Sequence, residues 1–143
     1  MRKGGRKLLG KNKVLFDTGP LFLYFAGDEN VKEIFDDVAA GKVMGYTCEV
    51  NMAEFYYKTC ENFGREVAEV RNTSIRRSKI AVLAVDERLT RIAGRIKCTY
   101  KGMLSLADAY TLAAAKMHDA TLITTDSQLA DLKLVPARLL RIS

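Results

Sequence analysis

Four acidic residues of this 143-residue chain, Asp17, Glu54, Asp108 and Asp126, have the type and placement of a shared site. Asp17 ends the apolar run Val14, Leu15, Phe16 and is followed by Gly19-Pro20, which reads as a buried strand stopping at a turn. Asp126 follows a second apolar run over residues 120–124. Asp108 falls in the first turn of an alanine-rich helix, and Glu54 in the second turn of the helix after the second strand. Several carboxylates at one place repel one another and rise in pKa unless a divalent ion neutralises them. An all-oxygen set selects Mg²⁺ or Mn²⁺ over zinc, and such ions bind phosphate oxygens and activate water.

Each acid also has a plain structural use. Asp17 can hydrogen-bond its own turn, Ser105-x-x-Asp108 has the form of a capping box, and Asp126 suits a helix N-cap. Glu54, flanked by Asn51 and Lys58, fits an ordinary exposed helix face. Those uses account less well for the set, because Asp17 follows a strongly apolar strand and Asp108 precedes Ala109 on a helix built to pack closely.

The elements that must position these residues alternate along the chain. Strands are expected at residues 13–17, 43–47, 79–85, 120–124 and 138–142, the second weakened by Gly45. The third is a near-continuous apolar run, as in a parallel strand covered on both faces. Helices are expected from Pro20 to Phe25, over 28–40, 49–62 and 65–77 (Val67, Val70 and Ile75 inward), and over 86–98, 105–117 and 127–132. The result is an α/β fold, a mainly parallel five-stranded sheet between two helical layers. Ligands of such sheets bind beyond the carboxyl ends of the strands, the end to which all four acids should project.

The formal charge of +6 is not evenly spread, because Arg2, Lys3, Arg6, Lys7, Lys11 and Lys13 open the chain without an acid. Removing those six leaves 17 basic residues against 17 acidic over residues 14–143, so a basic arm over residues 1–12 precedes a nearly neutral single domain over 13–143. The arm reads as a solvated tail or as a contact for phosphates. Cys48, Cys60 and Cys98 form no C-x-x-C pair and His118 stands apart as a helix C-terminal residue, which argues against a zinc finger and for a reducing compartment. With no apolar stretch of about eighteen residues and no secretory signal, a cytoplasmic protein that does not enter membranes is expected.

V-L-F-D-T-G-P-L (residues 14–21), N-M-A-E-F (51–55), L-S-L-A-D-A-Y-T-L-A-A-A (104–115) and A-T-L-I-T-T-D-S-Q-L (120–129) together resemble the PIN-domain nucleases. The likeness is greatest to the small single-domain, VapC-like toxins of prokaryotic toxin–antitoxin pairs, and it covers nearly all of the chain beyond the arm. The resemblance implies a sheet in the order 3-2-1-4-5 and Mg²⁺- or Mn²⁺-dependent hydrolysis of RNA. It also implies frequent homodimers and, for a toxin, a small antitoxin partner. Carried over by position, it makes Asp17, Glu54, Asp108 and Asp126 the metal site, with Thr18 and Thr124 tuning it by hydrogen bonds.

Two other readings compete. Phe16-Asp17-Thr18-Gly19 spells an aspartic-protease signature, but such enzymes pair two aspartates across an all-β interface, which this helix-rich pattern lacks. A non-catalytic PIN-like module for RNA binding or ribosome assembly would use the basic arm, and the helix bearing Arg71, Arg76, Arg77 and Lys79, on phosphates. The aromatics Phe22, Tyr24, Phe25, Phe55, Tyr56 and Tyr57 are read as core or dimer contacts.

Overall fold

A computed structural model describes residues 12–142; the charges of the expected basic arm, Arg2, Lys3, Arg6, Lys7 and Lys11, lie outside the described residues. In chain order the elements are β1 (Lys13–Phe16), α1 (Thr18–Phe25), α2 (Glu29–Ala39), β2 (Met44–Cys48), α3 (Glu49–Phe63) and α4 (Arg65–Arg77). They continue with β3 (Ala81–Leu83), α5 (Glu87–Thr99), α6 (Leu106–Met117), β4 (Thr121–Thr124), α7 (Ser127–Asp131) and β5 (Ala137–Leu139). The five strands form one sheet in the order β3-β2-β1-β4-β5, every neighbouring pair parallel. Because the order reverses at β1, the crevice at the carboxyl ends of β1 and β4 is the switch point where an open α/β sheet accepts ligands.

Alternation along the strands divides the interior into two cores. Leu15 and Leu122 face the side covered by α5, α6 and α7, while Val14, Phe16 and Ile123 face the side covered by α1 to α4. Both sheet faces are apolar, and each needs its own cover. On the first side α6 offers Ala109, Ala113, Ala114 and Ala115, all fully buried, and small side chains let the helix lie close to the sheet. On the second, Phe35 stacks on Tyr24 and meets Phe16 at a tilt, and Phe55 lies against Phe22 and Phe25. Of the six aromatics read as core or dimer contacts, Phe55 is fully buried and Tyr57 is half exposed.

Gly45, which weakened the second strand as a sequence pattern, is there for close approach. A Cβ at that position would come within 2.8 Å of Val38 on α2, so glycine lets the helix settle onto β2. Three expectations are corrected. β3, at the edge that the expected order gives it, is shorter than residues 79–85 and is not covered on both faces, being exposed at Ala81 and half-buried at Val82 and Leu83. α4 turns Ala68 and Ile75 inward and leaves Val70 exposed, since the inward stripe follows a spacing of two turns that Val70 does not share. α1 begins at Thr18, ahead of Pro20, because the first helical N–H groups need no partner within the helix and proline fits anywhere in that turn. No described helix is long and apolar enough to cross a membrane.

Candidate active site

Asp17 sits where β1 becomes α1. Its N–H still pairs with the Ile123 carbonyl of β4 at 2.9 Å, and its side chain caps the new helix by accepting from the Thr18 N–H at 2.8 Å. Such a cap ordinarily accepts from the second or third helical N–H, and the third residue here is Pro20, which has none. The second carboxylate oxygen is therefore available to the sheet, where the Thr124 hydroxyl donates to it at 2.7 Å. The same Thr124 oxygen accepts from the Asp126 N–H at 3.0 Å. One buried hydroxyl thus ties the end of β1 to the loop after β4. The Thr125 side chain packs onto the start of α1 here, since a Cβ on Gly19 would lie 2.3 Å from its hydroxyl oxygen.

A residue not singled out by its pattern completes this arrangement. Asn51, expected on an exposed face beside Glu54, is 1% exposed and stands at the centre of a polar cluster. Its amide nitrogen is 3.5 Å from the Asp17 carboxylate, 3.2 Å from the Thr18 hydroxyl and 2.9 Å from the Thr111 hydroxyl. Thr111 can accept because its own hydrogen goes to the Ala107 carbonyl at 3.0 Å. Asn51 so joins α3, the start of α1 and α6. Its carbonyl oxygen is buried without a partner, a cost of about 1–3 kcal/mol that the amide bears in order to present N–H to a carboxylate. The available signal was that Asn51 precedes Glu54 by three residues and so shares its helix face.

Asp17 is 9% exposed, whereas Glu54, Asp108 and Asp126 are half-buried around it. Burial is the main force pushing the Asp17 carboxyl above its usual value of 3.8; the Thr124 and Thr18 hydrogen bonds oppose it, and the charges of Asp108 and Glu54 add to it. Three of the four acids are therefore electrostatically in touch. Asp126 reaches Asp17 through Thr124, and its own carboxylate caps α7 by accepting from the Gln128 and Leu129 N–H groups at 2.8 and 3.3 Å. Asp108 takes part in the anticipated capping box, receiving the Ser105 N–H at 3.3 Å while its own N–H goes to the Ser105 hydroxyl at 3.0 Å. Glu54 pairs with Lys58 at 3.7 Å across one helical turn. The structural uses of these acids and their gathering at one rim thus coexist.

The sequence pattern of the PIN domain matches residues 14–134, a span that contains all four acids and both threonines. The chain belongs to the PIN-domain family. A comparison with curated proteins gives no significant match. Among solved structures, the chain is similar to DNA-bound VapBC from Salmonella typhimurium, with a TM-score of 0.73 at 16% identity over 88% of this chain and 96% of that one. It is also similar to a toxin–antitoxin complex from Klebsiella pneumoniae, with a TM-score of 0.67 at 20% identity over 90% and 99% of the two chains. A third is VapC20 from Mycobacterium tuberculosis, described as a sarcin–ricin-loop-cleaving toxin, with a TM-score of 0.65 at 16% identity over 83% and 94%. At these identities the likeness is one of fold.

Among the described residues, no three His, Cys, Asp or Glu side chains are gathered tightly enough to form a ready-made metal cage. The acids of this PIN domain are held instead by their caps and by Lys58. A divalent cation nevertheless fits the donor set, which is all oxygen. Asp17 is nearly buried, is pressed by two further carboxylates, and has no Lys, Arg or His ion pair among the described residues.

A pH dependence follows. A carboxyl whose folded pKa lies above its unfolded value contributes stability below the unfolded value, and that stability is lost as pH rises through the folded value. Metal-free protein should therefore become less stable than its Asp17→Asn variant as pH rises above 3.8, and added Mn²⁺ should restore the wild type. Paired thermal melts in chelator from about pH 4 to pH 7 read this difference directly. A constant gap between the two proteins would contradict the placement of Asp17.

Proposed function

We propose that this PIN domain is a Mg²⁺- or Mn²⁺-dependent endoribonuclease of the cytoplasm, acting as the toxin of a toxin–antitoxin pair. The observation that carries the reading is the buried Asp17 carboxylate, unpaired with any described cation and facing the charges of Asp108 and Glu54 at the switch point of a parallel sheet. Asp17, Asp108, Asp126 and Glu54 would hold the metal. When bound, a divalent ion lowers the pKa of water and neutralises charge on a phosphodiester.

The chain's own groups do the rest. Thr124 and Thr18 fix the two oxygens of Asp17, and Asn51 holds that carboxylate from the side of α3. Glu54, half-buried and on the same rim, is the group placed to accept a proton from attacking water if it is not itself a ligand. The toxin role is supported by similar structures described as a toxin–antitoxin complex and as a sarcin–ricin-loop-cleaving toxin; with that role we propose a homodimer and a small antitoxin as partners.

Incubation with a labelled single-stranded RNA tests the activity. Cleavage is expected with Mg²⁺ or Mn²⁺ and should cease in chelator while the protein stays folded; cleavage that persists in chelator would remove the metal from the account. The lack, among the described residues, of a ready-made cage of three His, Cys, Asp or Glu side chains favours one second reading, a PIN-like RNA-binding module. That reading predicts RNA binding in chelator and no cleavage with any divalent ion.

A further inference from the structure

A cavity of about 480 Å³ lies between α5, the end of α6 and the loop before β5, and none of the four acids lines it. Lys116 in its wall is eight residues along α6 from Asp108, roughly 12 Å on the helix axis at 1.5 Å per residue. Its size falls in the range of small-molecule sites, about 300–1,000 Å³.

The lining is sorted along α5. Arg88, Ile92 and Arg95 recur at the spacing of one helix stripe and face the cavity. Arg91, on another face of the same helix, is spent on Glu87 at 3.1 Å. Lys116 adds a third cation, Tyr100 an aromatic ring and Met117 an apolar floor, and no acidic residue contributes. Among the described residues, Arg88, Arg95 and Lys116 form no ion pair, whereas Arg76, Arg91, Lys32 and Lys58 each have a carboxylate. The field at one rim is felt by His118, which burial first, then Lys13 and Arg88, hold below its ordinary range.

Three unpaired cations over an apolar, aromatic floor ask for a ligand with several negative charges at one end and a flat, weakly polar body at the other. Guanidinium forks match phosphate oxygens two at a time, and a ring such as Tyr100 accepts a base on its face. We propose that this cavity binds a nucleoside monophosphate unit, either as a free nucleotide or as one nucleotide of an RNA strand. The proposal stands apart from the acid site, so loss of nuclease activity leaves it untouched.

Calorimetric titration of the full chain with AMP in chelator, where the metal site is silent, tests it. One saturable site is expected, weakened at least about tenfold by the paired change Arg88→Ala and Arg95→Ala and unaffected by Asp17→Asn. Both arginines are exposed, and a thermal melt confirms that the variant is folded. Displacement of AMP by a single-stranded RNA oligonucleotide assigns the cavity to a strand, and its failure to compete assigns it to the free nucleotide. No saturable binding, binding indifferent to the paired change, or inorganic phosphate bound as tightly as AMP would each overturn the proposal.

Discussion

Asp17→Asn should abolish metal-dependent RNA cleavage, by on the order of 10³-fold or more, while leaving the protein folded. The substitution changes charge and almost nothing else. The retained side-chain oxygen still accepts from the Thr18 N–H, and the new amide nitrogen meets the Thr124 oxygen, which has a lone pair to offer. What disappears is the negative charge at the deepest position of the acid rim. In the metal-free protein that charge is a burden, because burial and the neighbouring carboxylates both oppose it. The variant should therefore melt no lower than wild type in chelator at neutral pH, and it should gain far less stability from Mn²⁺. Full residual cleavage would exclude Asp17 from the site, and a collapse in thermal stability would make its role one of folding.

Thr124→Val should cost the most among changes that leave every acid in place. Valine keeps the branched shape but removes the hydroxyl that donates to Asp17 at 2.7 Å and accepts from the Asp126 N–H at 3.0 Å. One oxygen of a nearly buried carboxylate loses its donor, and the loop carrying Asp126 loses its tie to β4. Groups that orient metal ligands are worth about 10–100-fold in affinity, so Mn²⁺ binding should weaken by that factor. Stability should fall by about 1–3 kcal/mol for the polar groups left unpaired. Thr124→Ser should recover most of both, since the hydroxyl returns. Unchanged Mn²⁺ affinity in the valine variant would show that Thr124 serves only the fold.

Much of this architecture was legible because it is written in local chemistry. Helical periodicity, Gly-Pro and Ser-x-x-Asp punctuation, and apolar runs ending in Asp17 and before Asp126 are properties of a few neighbouring residues. The capping box at Ser105 and Asp108 and the N-cap at Asp126 both formed as read. The sheet order was a different matter. It came from family likeness, since periodicity does not say which strands lie side by side.

What escaped is non-local. Asn51 is an unremarkable polar helix residue until Asp17, Thr18 and Thr111 arrive from other segments to surround it. The apolar run before Val85 reads as a strand covered on both faces, yet β3 is exposed at Ala81 and only half-buried at Val82 and Leu83, because cover depends on helices that come from other segments. Part of the basic face on α4 is likewise spent. Arg71 lies over the Phe25 and Phe63 rings and Arg76 grips Glu49 with both guanidinium nitrogens, so fewer charges remain for phosphates than the composition offered.

Anomalous diffraction from a crystal soaked in Mn²⁺ reads whether the carboxylates around Asp17 bind a divalent cation. A manganese peak is expected touching Asp17 and at least one of Asp108, Asp126 and Glu54, and absent from a soaked Asp17→Asn crystal. A crystal saturated with Mn²⁺ that shows no peak at this rim, or a peak that persists in the variant, would contradict it.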